Sequence, residues 1–166
     1  MGKWNDVEAS SAGLFVKLKT GENVVRLMSE PEVFWKSWDK ETKTGRTYKT
    51  EKDAKSDKKA SKKFGAWVID RTDGAIRILE MGATIVGKIK ALSLSKHYSF
   101  DSLPGYDIII NKTGSDLLTK YDVVPAPPST ITDEEQQALL DKIEEKGELF
   151  DILTKDAEVD VEEAFS

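Results

Sequence analysis

The residues able to do chemistry in this chain are aromatic rings standing beside cations: "FWKSW" at 34–38, "GRTYK" at 45–49, "KKFGAW" at 62–67 and "TKY" at 119–121. Flat rings stack on nucleobases whatever their identity, and Lys and Arg follow a phosphate backbone, so single-stranded nucleic acid calls for this pairing of residue types. Each stacked base contributes roughly 1–3 kcal/mol, so two or three rings would dominate the non-electrostatic affinity. The competing use of the same rings is core packing, since Trp and Phe in strands are mostly buried. In the first stretch, strand parity puts Val33 and Trp35 on one face and Phe34, Lys36 and Trp38 on the other. A face bearing Lys36 argues against a sealed interior, which makes Trp38 the stacking candidate and Trp35 the core candidate. Further on, Ala66, Val68 and Asp70 alternate with Trp67, Ile69 and Arg71; both faces are mixed, and parity does not assign Trp67.

Other chemistries have less to work with. The chain has no cysteine, hence no disulfide, thiolate metal site or thiol nucleophile, which fits a reducing compartment. Its sole histidine, His97, has no acid or nucleophile at a recognisable spacing and reads as a surface residue. The acids at 133–135 suit a helix N-terminus, where negative charge complements the dipole. "KTGSD" lacks the glycine spacing and Lys-Thr pair of a phosphate loop. No catalytic residue, cofactor or metal is therefore expected. No apolar run approaches the roughly 18 residues of a membrane span, and the first residues have no signal-peptide core, so a cytoplasmic location is expected.

The net charge of −5 conceals a polarity along the chain. Residues 132–166 hold 13 acids against 3 lysines, a net of −10, and the remainder carries 22 bases against 17 acids, a net of +5. Within the latter, residues 36–63 hold 11 Lys and Arg against 5 Asp and Glu. A basic body with an acidic end points to a polyanionic partner for the body.

The elements that must position these groups are mostly strands. "LFVKLKTGENVVRLM" predicts a hairpin about residues 20–23, and "EVFWKSW" a third strand after Pro31. Residues 39–63 have almost nothing to bury and are either disordered or a basic excursion held only by a partner; if 51–63 coil, Lys52, Lys55, Lys59 and Lys62 share one face. Residues 64–81 read as two strands about "RTDG", residues 82–94 as a helix, and residues 106–124 as a second hairpin. Pro125, Pro127 and Pro128 are expected to end pairing and open a linker over 126–131. Thr132 and Glu135 stand in capping-box register, Gly147 takes the C′ role, and Leu139, Leu140 and Ile143 give that helix an apolar stripe. The expected division is an arm at 1–12, a core at 13–125, the linker, a helical segment at 132–153, and a disordered acidic tail at 154–166. Many strands with one interposed helix favour a mainly β fold, a small antiparallel barrel with an appended C-terminal helix.

Taken in order, "L.TGENVVRLM", "WVIDR.DG.I.ILE" and "YDI.I.KTG..L.TKY.V.P" resemble the single-stranded DNA-binding proteins of tailed bacteriophages, over roughly residues 13–146. The resemblance implies an OB-fold core, binding of single-stranded DNA without sequence preference in replication, recombination or repair, and an acidic tail that contacts replication or recombination proteins. Some members carry a Cys and His zinc module in the core; this chain has no cysteine, and residues 39–63 take the comparable place. Groove residues carried over are Lys36, Trp38, Arg46, Tyr48 and Lys49, with Arg71 and Lys112 on the hairpins. Lys40, Lys59, Lys62, Lys63, Trp67 and Tyr121 complete the candidate set on cation and aromatic type. In the tail, Asp156, Glu158, Asp160, Glu162 and Glu163 supply charge that can occupy the basic groove when DNA is absent, and Phe165 supplies an apolar anchor for a partner. A single-stranded RNA module and a protein-interaction adaptor are the competing readings.

Overall fold

The computed structural model describes residues 13–155; the N-terminal arm and tail residues 156–166, with every tail position named above, lie outside the described residues. Seven strands form one antiparallel sheet: β1 (Gly21–Leu27), β2 (Glu32–Asp39), β3 (Thr44–Tyr48), β4 (Ser61–Asp70), β5 (Ala75–Met81), β6 (Tyr106–Thr113) and β7 (Lys120–Pro128). The helices are α1 (Glu51–Ala54), α2 (Ala83–Ser93), α3 (Asp133–Lys146) and α4 (Leu149–Leu153). No described helix is long and apolar enough to cross a membrane.

β4 is the hub, because its ten residues serve three neighbours. Its first half pairs with β2, its last three residues with β1, and its other edge with β5. β1 hands over to β2 at Ser29, whose hydroxyl accepts the Trp67 N–H at 2.8 Å. β6 and β7 continue the sheet beyond β1, and β3 ends it beyond β2.

Both faces of β4 are buried, which explains why its parity was uninformative. Ala66 and Val68 join Val25, Leu27, Leu79, Met81, Ile108 and Ile110 in a core that α2 covers with Ile85. Trp67 and Ile69 join Phe34, Ile76 and Ile78 in a second core, roofed by Leu149 and Leu153 of α4 and flanked by Leu139 and Ile143 of α3. Leu140, expected in the docking stripe, is 59% exposed. At Gly65 a Cβ would stand 2.5 Å from a Leu153 methyl, so α4 rests on bare backbone there. Gly65→Ala should push α4 off the sheet and cost about 1–3 kcal/mol, readable in a denaturant melt.

The expected barrel is corrected to a sheet that does not close. One edge of β5 is taken by residues 14–16, where Val16 N–H bonds the Ile78 carbonyl at 2.9 Å and Ile78 N–H the Leu14 carbonyl at 2.7 Å. β7 carries Pro125, Pro127 and Pro128, which have no N–H to give a further strand. Those prolines do not end pairing, as their composition suggested: Pro125 still lies opposite Ile108 and Pro128 opposite Tyr106, tolerated because β7 is an edge. The hairpin about 20–23 is also corrected. The Asn23 amide ties back to Lys19 through bonds of 2.8 Å in both directions, turning residues 14–16 away to β5.

The basic excursion is ordered in part. Thr44–Tyr48 pair with β2, the helix stops at Ala54, and Ser61 already begins β4, so Lys59 and Lys62 do not share a helical face with Lys52. The C-terminal helices follow the expectation: Thr132 and Glu135 cap each other's backbones, and Gly147 closes α3 at φ 97°. Thr154, which the expected division puts in the tail, is buried and its hydroxyl donates to the Phe150 carbonyl.

Charges in the sheet body are matched. Arg71 bridges Asp107 of β6 and Glu135 of α3, and Arg77 grips both oxygens of Asp73 at 2.7 Å. The Arg77 guanidinium, helped by the Ala75 N–H, holds Asp73 down to about 2. A depressed folded-state pKa gives stability that is present above the unfolded value of 3.8 and lost as pH falls toward 2. Asp73→Asn should therefore flatten the decline of the melting temperature between about pH 4 and pH 2.

Candidate nucleic-acid interface

The candidate site grows from the β2–β3 ribbon, which is rooted in the second core through Phe34 and pairs with β4 over Glu32–Lys36. Cross-strand register fixes its two faces: Trp35 lies opposite Tyr48, Ser37 opposite Arg46 and Asp39 opposite Thr44, while Lys36 lies opposite Thr47 and Trp38 opposite Gly45. Partners directly opposite in an antiparallel pair share a face. One face thus carries Trp35, Ser37, Arg46 and Tyr48, and the other carries Phe34, Lys36 and Trp38. The Trp38 ring lies across Gly45, where a Cβ would already touch it at 3.5 Å, and it is 53% exposed.

On the first face the turn after α1 folds over the ribbon. The Tyr48 hydroxyl donates to Asp57 at 2.8 Å, and Asp57 receives the Lys59 N–H at 3.0 Å. The hydroxyls of Ser37 and Tyr48 hold Asp57 below its ordinary value, while burial and then the Asp57 bond push the Tyr48 phenol up. Asp57 is therefore an anion and Tyr48 a neutral donor at physiological pH, and their bond fastens Lys58 and Lys59 beside Arg46. The result is a groove of about 660 Å³ bordered by Trp38, Arg46, Tyr48, Lys58 and Lys59. A neighbouring hollow of about 550 Å³ has half-buried Trp35 in its lining, with Lys52 and Lys55 also bordering it. Asp57 borders both, so the two hollows adjoin. Lys62 lies opposite Trp35 on β4, with its ammonium 5.5 Å from the Phe64 ring centre.

The charges here differ from those of the sheet body. Arg46, Lys58 and Lys59, together with Lys40, Lys52, Lys55 and Lys62 around them, make no salt bridge to a described residue, whereas Arg26, Arg71 and Arg77 are each tied to carboxylates. Asp39 and Asp57 also line the groove and feel the charge of Lys59 and Arg46, but exposed cations outside salt bridges and next to rings can take a phosphate backbone and its bases together.

The expected residues divide into those the ribbon gathers and those it does not. Trp38, Arg46, Tyr48 and Lys59 border one groove, with Lys40 exposed at the β2–β3 turn and Lys49 half-buried just after β3. Lys36 is held by Glu80 at 3.1 Å. Lys63 is half-buried and turned toward Gly82. Trp67 is corrected outright: at 2% exposure, under α4, it is a core side chain and no stacking platform. Arg71 is a structural clasp between β6 and α3. Lys112 and Tyr121 face each other across β6 and β7, away from the ribbon, with Tyr121 packed on the α2-side core.

Sequence reasoning missed Trp35 and Lys58. Lys36 misled it, because a lysine was read as the mark of an open face, whereas this one crosses to Glu80 and leaves Phe34 beside it sealed at 1% exposure. A usable signal was present in Trp35 and Tyr48, aromatic residues at facing positions of two short runs. Among the described residues no three His, Cys, Asp or Glu side chains are grouped as metal ligands. Compared with protein-family models, curated proteins and solved structures, the chain has no match.

Proposed function

We propose that this chain binds single-stranded DNA without sequence preference along the first face of the β2–β3 ribbon, with no catalytic step. The observation that carries the reading is the groove in which exposed Arg46, Lys58 and Lys59, none in a salt bridge to a described residue, stand beside Tyr48 and Trp38 and next to the Trp35 hollow. A strand whose phosphates follow those cations stacks bases on Trp35 and Tyr48, and it reaches Trp38 by turning round the edge of the ribbon. No base-edge reader is needed, because affinity comes from ring faces and charge.

Connectivity supports the same reading. Going from β5 through β4, β1 and β6 to β7, with α2 interposed between β5 and β6, the strand order fits a partly open five-stranded OB-like barrel into which β2 and β3 are inserted. In such barrels the loop after the first strand takes part in oligonucleotide binding, and here that loop is the ribbon. The biological setting we propose is phage DNA replication, recombination or repair in the host cytoplasm. There the acidic ending competes for the groove when DNA is absent and recruits replication or recombination proteins when it is present.

The test is competition at fixed salt among oligo(dT), an RNA of equal length and a duplex, followed by tryptophan emission. Preference for oligo(dT) supports the proposal. Equal affinity for duplex overturns the single-strand claim, and tighter binding of RNA reassigns the substrate.

A further inference from the structure

The turn joining β6 to β7 holds two adjacent leucines in water: Leu117 is 97% exposed and Leu118 76% exposed, in the short 3-10 turn Asp116–Leu118. No other two large exposed apolar residues among those described are neighbours in sequence. The turn has a defined conformation. Gly114 sits at φ 77°, where a Cβ would stand 2.1 Å from the Leu118 carbonyl oxygen, and Asp116 takes φ 51°, a region few side-chain-bearing residues adopt. Leu118 N–H bonds the Ser115 carbonyl at 2.9 Å, and Thr119 N–H the Asp116 carbonyl at 3.2 Å. Backbone strain of this kind persists where the surrounding structure enforces it, and what it presents here is a bare apolar tip.

The surroundings of the tip indicate its occupant. Lys120, opposite Thr113, is exposed at its base, and Lys112 and Tyr121 pair one step below. A convex pair of leucines with exposed Lys120 at its base, and with Asp116 as the one acid of the turn, fits a slot between two flat apolar faces beside a phosphate. Two successive bases of a DNA strand offer both, and apolar side chains are known to enter between base steps and unstack them.

We propose that Leu117 and Leu118 form a wedge that enters between adjacent bases at a duplex end and opens it, while Lys120 holds a flanking phosphate. The inference rests on the single-stranded DNA reading and adds to it an active strand-separating element remote from the ribbon. In an OB-like barrel this turn joins the fourth and fifth strands, which also takes part in oligonucleotide binding.

The full chain and its Leu117→Ala/Leu118→Ala variant are compared in binding oligo(dT) and in opening a DNA hairpin labelled with a fluorophore and quencher. Both leucines are solvent-exposed, so the variant folds. The wedge predicts nearly unchanged oligo(dT) affinity and about tenfold more protein needed to open the hairpin. Leu117→Cys supplies the only thiol in a chain that has none, and an environment-sensitive dye placed there should respond to DNA. Hairpin opening that matches wild type overturns the wedge. So does a dye that ignores DNA but responds to protein concentration, which would make the tip a contact between copies. Failure of the wild type itself to bind oligo(dT) overturns the functional reading together with the wedge, which separates the two failures.

Discussion

Replacing Arg46, Lys58 and Lys59 together with alanine is expected to weaken oligo(dT) binding by about 500-fold at 50 mM salt while leaving the melting temperature unchanged. The size follows from counterion release. Each phosphate contact to a single strand contributes about 0.7 to the slope of log affinity against log salt, so three lost contacts flatten it by about 2. If the two curves meet near 1 M, a twentyfold dilution of salt separates them by the stated factor. The fold should tolerate the change because all three side chains are exposed and none is ion-paired to a described residue. Neutralising Lys90, Lys96 and Lys142, which lie outside the groove, should leave the slope nearly as it was. A triple variant whose affinity falls no more than that control would move the interface off the ribbon.

Trp67→Ala is expected to destabilise the chain by about 3–5 kcal/mol, the range for removing a large buried aromatic side chain. The Trp67 side chain packs in one cluster with Phe34 of β2, Ile78 and the α4 leucines, while its backbone N–H, which the variant keeps, still bonds Ser29 at the β1–β2 corner. The loss therefore reaches both the roof helix and the root of the ribbon. Trp67→Leu refills part of the space and should keep oligo(dT) affinity near wild type, which a base-stacking role would forbid. A chemical melt and one binding curve on each variant separate these roles.

The contrast between Trp67 and Trp35 marks the limit of what the sequence discloses. Elements specified by neighbouring residues were legible: the α2 periodicity, the β6–β7 hairpin, and the Thr132 and Glu135 cap with its Gly147 stop. Elements specified by distant partners were not. Residues 14–16 look like the first arm of a hairpin, yet their partner is Ile78 of β5. Thr44–Tyr48 have no apolar alternation and become a strand only because β2 offers an edge. The prolines of β7 read as a break because sequence does not say that the strand lies at an edge. For the site, charge and ring content pointed to residues 36–63, but which ring is covered depends on two contacts from far along the chain. One is Glu80 reaching Lys36, and the other is α4 settling over Phe34 and Trp67.

The most direct test follows the emission of a chain that keeps only Trp35 and Trp38, with Trp4→Phe and Trp67→Phe, during titration with oligo(dT) and then with salt. Binding on the ribbon predicts that emission falls as DNA saturates and recovers as salt rises, in step with an independent measure of dissociation. Emission that stays constant while the independent measure reports bound DNA would place the interface elsewhere and contradict the ribbon assignment.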